Sequence, residues 1–166
     1  MRFHRLVFLD LATVDRGDLD LSPIVSRTRE FLPWPATAPD EVAGHVAAAD
    51  AIVLNKVRLG AEVFERVQPR IVCLAATGTD NVDLVAAREA GIAVANIRDY
   101  CTDSVVQHVF ALLLALSTRL AEHREHLQTG AWPPGGAYTL PDLPIRELGG
   151  KTLAVVGFGT LGRAVA

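Results

Sequence analysis

Short apolar runs alternate with polar, turn-forming segments over residues 1–100, and this alternation predicts a parallel α/β sheet. The apolar runs that have the length and composition of buried strands are 6–9, 51–54, 71–75 and 92–95. Between them, apolar positions recur with helical spacing over 61–67 and 82–90. Strands that alternate with short helices are typical of a parallel sheet covered on both faces.

Two segments of this region are harder to interpret. Residues 24–35 contain three apolar clusters that Pro33 and Pro35 interrupt, so the pattern there favours neither helix nor strand. Thr37 is expected to cap a helix over 39–48. We expect His4 and His45 to face solvent.

A much longer helix is predicted from Ser104 to about Gln128, with Ser104 and Gln107 forming a capping box. Its middle is apolar on all sides, and His108 lies within this stretch as an expected core residue. A helix of this kind has to be buried nearly all round, which a small domain rarely achieves alone. The pattern therefore predicts a subunit interface or a second domain.

A proline- and glycine-rich loop over 129–150, which includes Trp132, follows the helix and is expected to act at an interface. The run 153–156 then predicts a buried strand that leads into a G-x-G-x-x-G fingerprint over 157–162. In such a fingerprint the first glycine makes a tight turn and the second lets a pyrophosphate approach the backbone. The third lets the next helix pack closely, and the N-terminus of that helix faces the phosphates.

Composition and charge narrow the function classes. Half of the 166 residues are apolar and 21% are charged, which is typical of a globular protein. A net charge of -3 argues against nucleic acid as a partner, and the longest apolar stretch, 109–116, is too short for a membrane span. Two cysteines and no signal peptide indicate a reduced, cytoplasmic protein. The spacing of His123 and His126, with Glu122 nearby, permits a metal pair, but no cysteine or third ligand supports it, so no metal site is predicted.

Polar clusters directly follow two of the predicted strands. Asn55 and Lys56 come after one, and Thr77-Gly78-Thr79 comes after the next. Ligands of open parallel sheets bind at the carboxyl ends of the strands. The N–H groups of the second cluster are suited to hold an anion, and Lys56 could add a positive charge for a carboxylate. The alternative is that this glycine loop is an ordinary turn and that the following Asp80, Asn81 and Asp83 are turn and cap residues.

With these elements in place, the chain resembles the D-isomer-specific 2-hydroxyacid dehydrogenase family, in particular its glycerate dehydrogenase and hydroxypyruvate reductase branch. The resemblance extends over nearly the whole chain, and both order and spacing match. The segments that carry it are 55–57, 76–84, 91–96, 104–116, 130–132, 148–152 and the glycine fingerprint.

The resemblance implies a flavodoxin-like, parallel-sheet substrate-binding domain over 1–100. An incomplete, truncated start of a Rossmann NAD(P)-binding domain follows over 101–166, comprising an interdomain and dimerisation helix, a loop, and the first strand with its glycine turn. It also implies a homodimer built by helix 104–128 and the Trp132 loop. The implied substrate-binding residues are Asn55, Lys56, Thr77, Gly78 and Thr79. The implied cofactor-binding residues are Val105, Gly157, Phe158, Gly159, Thr160, Leu161 and Gly162.

The expected function is therefore NAD(P)-dependent reduction of hydroxypyruvate or glyoxylate, or oxidation of glycerate. In the family, a catalytic arginine, a glutamate and an acid/base histidine follow the fingerprint, so we expect no catalytic residue within these 166. Arg58, Arg98 and His108 do not match those positions. We expect the 166 residues alone to be inactive and to bind NAD or NADP weakly, without a residue that separates the two cofactors.

Two alternatives remain open. The first is a non-catalytic dimerisation module or a degenerate remnant. The second is a formate- or phosphite-type dehydrogenase fragment. The Asn55-Lys56 pair and the Thr77-Gly78-Thr79 loop argue against this second alternative.

Overall fold

The computed structural model describes residues 2–132, 135 and 138–166 and divides the chain into two compact units. One unit ends at Arg98, and the other comprises Asp99–Ala166. The strands of the first unit are β1 (Phe3–Phe8), β2 (Thr28–Pro33), β3 (Ala51–Leu54), β4 (Ile71–Leu74) and β5 (Ala93–Asn96). Its helices are a 3-10 turn (Leu11–Thr13), α1 (Ser22–Val25), α2 (Val42–His45), α3 (Ala61–Phe64) and α4 (Leu84–Glu89).

The five strands form one parallel sheet in the order β2-β1-β3-β4-β5, which confirms the α/β fold and is the flavodoxin-like order. Leu54 at the end of β3 pairs with Leu74 at the end of β4, and Leu74 pairs with Asn96 at the end of β5. Because these strands end at the same level, the loops that follow them begin side by side.

The core lies between the sheet and its helices. The central strands contribute Val7, Ile52, Leu54 and Val72, each fully buried, and the helices contribute further side chains, which include Val42, Val63, Phe64 and Ala87. Burying one such aliphatic side chain stabilises the fold by roughly 1.5–3 kcal/mol. This cluster therefore fixes the ends of β3 and β4 from which the site is built.

Residues 24–35, which fit neither pattern, form the end of α1 and the strand β2. β2 hydrogen-bonds only to β1, so it is an edge strand of the sheet. An edge strand tolerates Pro33 and charged side chains, and Glu30 of β2 pairs with Arg5 of β1 at 2.7 Å. Pro33 and the charged side chains of β2 are the reason why the apolar pattern did not predict this strand.

The expectation for Thr37 was wrong. The helix over this region is only Val42–His45, and its N-terminus has no side-chain cap. Thr37 Oγ1 instead donates to the carbonyl oxygen of Leu9 and lies 3.0 Å from His45 Nδ1. The His45 ring stacks on Trp34 with 3.7 Å between centroids, so His45 is half-buried rather than solvent-facing.

The second unit contains α5 (Thr102–Ser117), α6 (Leu120–Gln128) and α7 (Thr160–Val165). The single helix predicted over 104–128 is therefore two helices, because Arg119 adopts a left-handed conformation with φ 54° between them. Ser104 does not cap the helix, which begins two residues earlier; its Oγ donates to the carbonyl oxygen of Cys101.

Burial in this unit also differs from expectation. No α5 residue is fully buried, Leu116 is 79% exposed, and His108 is exposed rather than a core residue. The run 153–156 forms no strand among the described residues, and Val156 is fully exposed. A parallel strand needs neighbours for its backbone hydrogen bonds, and none of the described strands lies in this unit.

No single helix in the described part of the chain is long and apolar enough to cross a membrane. By length and composition, α5 and α6 pass that test only as a pair, and the pair is bent by 61° at its break.

Candidate functional site

The two predicted substrate-binding loops lie next to each other at the carboxyl edge of the sheet. Asn55 and Lys56 follow β3 directly, and Thr77-Gly78-Thr79 follows β4 after two further residues. The backbone joins the two loops at their start, where the N–H of Ala75 donates to the carbonyl oxygen of Leu54 at 2.8 Å. The structure therefore brings together residues that are more than twenty positions apart in the sequence.

Asn81 clamps these two loops together. Its Nδ2 donates to the carbonyl oxygens of Asn55 (3.2 Å) and Val57 (2.9 Å). Its own carbonyl oxygen accepts from the N–H of Leu59 at 2.9 Å. Asn81 is thus more than a turn residue. Asp83, by contrast, is an ordinary cap, since its side chain accepts from the N–H groups of Val85 and Ala86 at the start of α4.

The loop after β4 contains backbone N–H groups that are available to a ligand. The Asn96 side chain donates to the carbonyl oxygen of Thr77 at 2.8 Å, which ties the loop to the end of β5. None of the N–H groups of Thr77, Gly78 and Thr79 donates a hydrogen bond to another described residue. Thr77 and Gly78 are exposed. These donors are therefore placed where a bound anion could accept from them.

Asp10 is a site residue that sequence reasoning missed. It lies just after β1, is 3% exposed, and accepts hydrogen bonds from the backbone of the loop after β3. In the sequence it only marked the end of an apolar run. The usable signal was a carboxylate at the carboxyl end of β1, because β1 and β3 flank the point where this strand order reverses.

A cleft of about 440 Å³ opens at this reversal point, within the volume range of small-molecule sites. Lys56 and Arg58 bring two cationic groups to its lining, and Glu62 and the buried Asp10 bring two carboxylates. Its remaining lining residues are Asp10, Thr13, Ala36, Thr37, Pro39, Val42, Val57 and Val63. The cleft suits a small polar ligand held against an apolar wall.

The glycine fingerprint of the second unit has the conformation that its sequence predicts for two of its three glycines. Gly157 has φ +94°, which a residue with a side chain rarely adopts. A Cβ at Gly162 would collide with the carbonyl oxygen of Gly157, so this position requires glycine. A Cβ at Gly159 would meet no atom, which leaves room for a ligand at the start of α7. The residues of the loop therefore fit a dinucleotide.

The other residues of this predicted site are less informative. Phe158, Thr160 and Leu161 are exposed, and Val105 is half-buried in the first turn of α5. Trp132 is half-buried, whereas 133–134 and 136–137 of the expected interface loop lie outside the described residues.

Neither a metal site at His123 and His126 nor a reactive thiol at Cys73 is supported by the described residues. His123 and His126 place Nδ1 at 3.0 and 2.9 Å from the carbonyl oxygens of Arg119 and Glu122, one turn earlier. No group of three or more histidine, cysteine or acidic residues in the described ranges could hold a metal ion. Burial raises the pKa of the Cys73 thiol, which disfavours the reactive thiolate.

Known proteins match both the sequence and the fold. The model of the D-isomer specific 2-hydroxyacid dehydrogenase catalytic domain matches residues 19–158. The chain is 30% identical to a glycerate dehydrogenase of Methylorubrum extorquens, over 98% of the chain and 51% of that protein. It is 34% identical to a hydroxypyruvate reductase of Blautia hydrogenotrophica, over 96% of the chain and 51% of that protein.

A solved structure of an NADPH-dependent glyoxylate/hydroxypyruvate reductase from Sinorhizobium meliloti shares the fold. Its TM-score is 0.75 at 23% identity, over 99% of the chain and 49% of that structure. The chain thus spans about half the length of the curated relatives that it matches.

Proposed function

The chain belongs to the D-isomer-specific 2-hydroxyacid dehydrogenase family, and from this premise we propose that it supplies the substrate pocket of an NAD(P)-dependent 2-hydroxyacid oxidoreductase. Residues 1–100 are the substrate-binding domain, and 101–166 begin the cofactor-binding domain. The reaction is reduction of glyoxylate or hydroxypyruvate, or oxidation of glycerate. The proposed location of the protein is the cytoplasm.

The observation that carries the proposal is the clamped pair of loops at the carboxyl edge of the sheet. The N–H groups of Thr77, Gly78 and Thr79 donate hydrogen bonds to the carboxylate of a 2-keto acid. Lys56 adds a positive charge to the same edge, and Asn55 lines the pocket beside it. Asn81 holds both loops at one spacing, so the substrate meets a preorganised set of donors.

The glycine loop is the proposed pyrophosphate site, with Val105 beside the nicotinamide. The cofactor supplies the hydride when bound, and either NAD or NADP is compatible with these residues. The role of this chain is to bind and orient the substrate. In the family, the proton donor is a histidine that follows the fingerprint, so the 166 residues alone do not turn over. They bind the cofactor weakly because they supply only the start of its binding domain.

A fusion tests this proposal. Residues 1–166 are joined to the second half of the Methylorubrum glycerate dehydrogenase, and NADH- or NADPH-dependent reduction of hydroxypyruvate is measured. We expect turnover by the fusion and none by either half. Turnover by the 166 residues alone would contradict this division of roles. A folded fusion that binds the cofactor but reduces no 2-keto acid would contradict the function itself.

Lys56→Met in the fusion tests the pocket more closely. It should raise KM for hydroxypyruvate roughly 10- to 100-fold, the scale of a lost hydrogen bond to a charged group. Lys151, the other lysine of the chain, provides the matched control, and Lys151→Met should leave KM unchanged. Equal effects of the two variants would argue against a role for Lys56 in binding.

A second candidate function, a dimerisation module, is favoured by one observation. Leu112 and Leu116, one turn apart on the same side of α5, are 51% and 79% exposed, an apolar surface that a second copy of the helix would cover. We propose a homodimer through residues 104–128 and the Trp132 loop. Light scattering should show a dimer, and Leu116→Lys should convert it to a monomer; a monomeric parent chain would overturn the proposal.

A further inference from the structure

A buried carboxylate lies beneath the loop that follows β3. Asp10 Oδ1 accepts from the N–H of Asn55 at 2.8 Å, and Oδ2 accepts from the N–H groups of Lys56 (2.5 Å) and Val57 (3.1 Å). Successive N–H groups that converge on one anion form an anion-binding nest. The loop after β3 is therefore an anion site whose anion is a side chain of the same protein.

We infer that Asp10 is a positioning residue of the proposed substrate pocket: its carboxylate fills the nest of residues 55–57 and holds the backbone of Lys56, which leaves the donors of Thr77-Gly78-Thr79, already proposed as the carboxylate site, to the substrate. The identity of the substrate rests on the proposed function. The claim that Asp10 fills the nest does not rest on the proposed function, because it follows from the three hydrogen bonds alone.

Two physical arguments support this assignment. A substrate carboxylate in the first nest would have to displace Asp10 or lie against a buried like charge, and both are unfavourable. No described residue accepts a hydrogen bond from the N–H groups of Thr77 to Thr79, and the carboxylate nearest to Gly78, that of Asp80, is exposed rather than buried. In addition, one of the three donors is the N–H of Lys56, so Asp10 fixes the backbone from which the Lys56 side chain extends. Asp10 and Lys56 line the same cleft.

Chemical rescue tests the nest. In the 166-residue chain, Asp10→Ala removes the anion and leaves three converging N–H groups. We expect the backbone amide NMR signals of residues 55–57 to shift in this variant. Formate should return them toward their original positions in a saturable manner, whereas formate should leave these signals unchanged in the parent chain. A general loss of stability would produce no such rescue.

Asp15 provides a matched control, because its Oδ1 also accepts from three backbone N–H groups, in an exposed loop. Asp15→Ala should leave the amides of 55–57 unchanged with or without formate. If Asp10→Ala does not fold, Asp10→Asn replaces it and should still shift those amides. The inference is overturned if the amides of 55–57 do not move in the Asp10 variant, if formate does not return them toward their original positions in Asp10→Ala, or if formate moves them equally in the parent chain.

Glyoxylate then separates this inference from the proposed function. In the parent chain it should shift the amides of Thr77 to Thr79 more than those of 55–57, and Asp10→Asn should weaken its binding about tenfold. Larger shifts at 55–57 would overturn the assignment. If the parent chain does not bind glyoxylate at all, the proposed function fails, while formate rescue still decides whether Asp10 fills the nest.

Discussion

Removal of the Asn81 side chain should loosen the two loops that form the proposed pocket. Asn81→Ala eliminates the hydrogen bonds from Nδ2 to the carbonyl oxygens of Asn55 and Val57, at 3.2 and 2.9 Å. At about 0.5–1.5 kcal/mol net for each, the loss in free energy of unfolding is about 1–3 kcal/mol. The backbone bond from Leu59 to the carbonyl oxygen of Asn81 does not involve the side chain and should persist.

Urea unfolding measures this loss directly. Asn96→Ala is the control, because Asn96 Nδ2 makes one exposed hydrogen bond, to the carbonyl oxygen of Thr77, so its cost should be about 1 kcal/mol or less. Asn81→Asp, which cannot donate at neutral pH, should cost at least as much as Asn81→Ala. Acid, which gives the new carboxyl one O–H donor in place of two N–H donors, should recover part of this loss. If Asn81→Ala costs no more than Asn96→Ala, Asn81 does not clamp the loops.

Three further predictions concern other parts of the chain. Gly162→Ala should unfold the start of α7, since its Cβ would collide with the Gly157 carbonyl, whereas Gly159→Ala should keep the helix and weaken NADH binding. Circular dichroism measures the helix and a cofactor titration measures the binding. Equal loss of helix in both variants would contradict the different roles given to the two glycines. The N–H of Arg5, with a smaller contribution from that of His4, lowers the pKa of Asp50, so the stability it contributes is present above the unfolded value of 3.8 and is lost as pH falls through the lower folded value. The stability difference between the parent chain and Asp50→Asn should therefore shrink in acid, and a difference independent of pH would refute this. Arg119→Gly should relieve the left-handed strain between α5 and α6, so the variant should keep more helix on heating than Glu122→Gln, which loses the same ion pair but keeps Arg119. Equal helix content in the two variants would contradict this.

Much of the first unit could be predicted from the sequence, because its strands are short apolar runs. β3 was predicted with its observed bounds, and β4 differed by a single residue. β2 could not be predicted, since an edge strand bonded on one side carries charges and ends at Pro33. The helices are shorter than their periodicity indicated: α3 ends at Phe64 rather than at 67, and α4 comprises Leu84–Glu89 rather than 82–90.

The second unit shows the limits of a pattern-based prediction. Apolar residues on all sides of α5 indicated burial, yet Leu116 is largely exposed, because hydrophobicity specifies a need for contact and not its partner. The break at Arg119 left no trace in the apolar pattern, since Thr118 and Arg119 are compatible with a helix. The fingerprint at 157–162 was easier to interpret because glycine positions report backbone geometry directly.

The candidate site, like the fold, could be predicted only in part from the sequence. Its loops could be located from the sequence, because polar residues after buried strands mark the carboxyl edge of a sheet. Asp10 was missed although its place at the carboxyl end of β1 was a usable signal. The clamp by Asn81 and the hydrogen bonds of Asp10 could not be predicted, since they join segments that are distant in the sequence.

A titration of the 166-residue chain with glyoxylate, followed by backbone amide NMR, tests the central claim most directly. Glycolaldehyde, which has an aldehyde but no carboxylate, serves as the matched ligand. The account predicts that glyoxylate shifts the amides of Thr77, Gly78 and Thr79 in a saturable manner and that glycolaldehyde does not. Shifts that are absent, or that are the same for both ligands, would contradict the claim that these loops bind the carboxylate of a 2-keto acid.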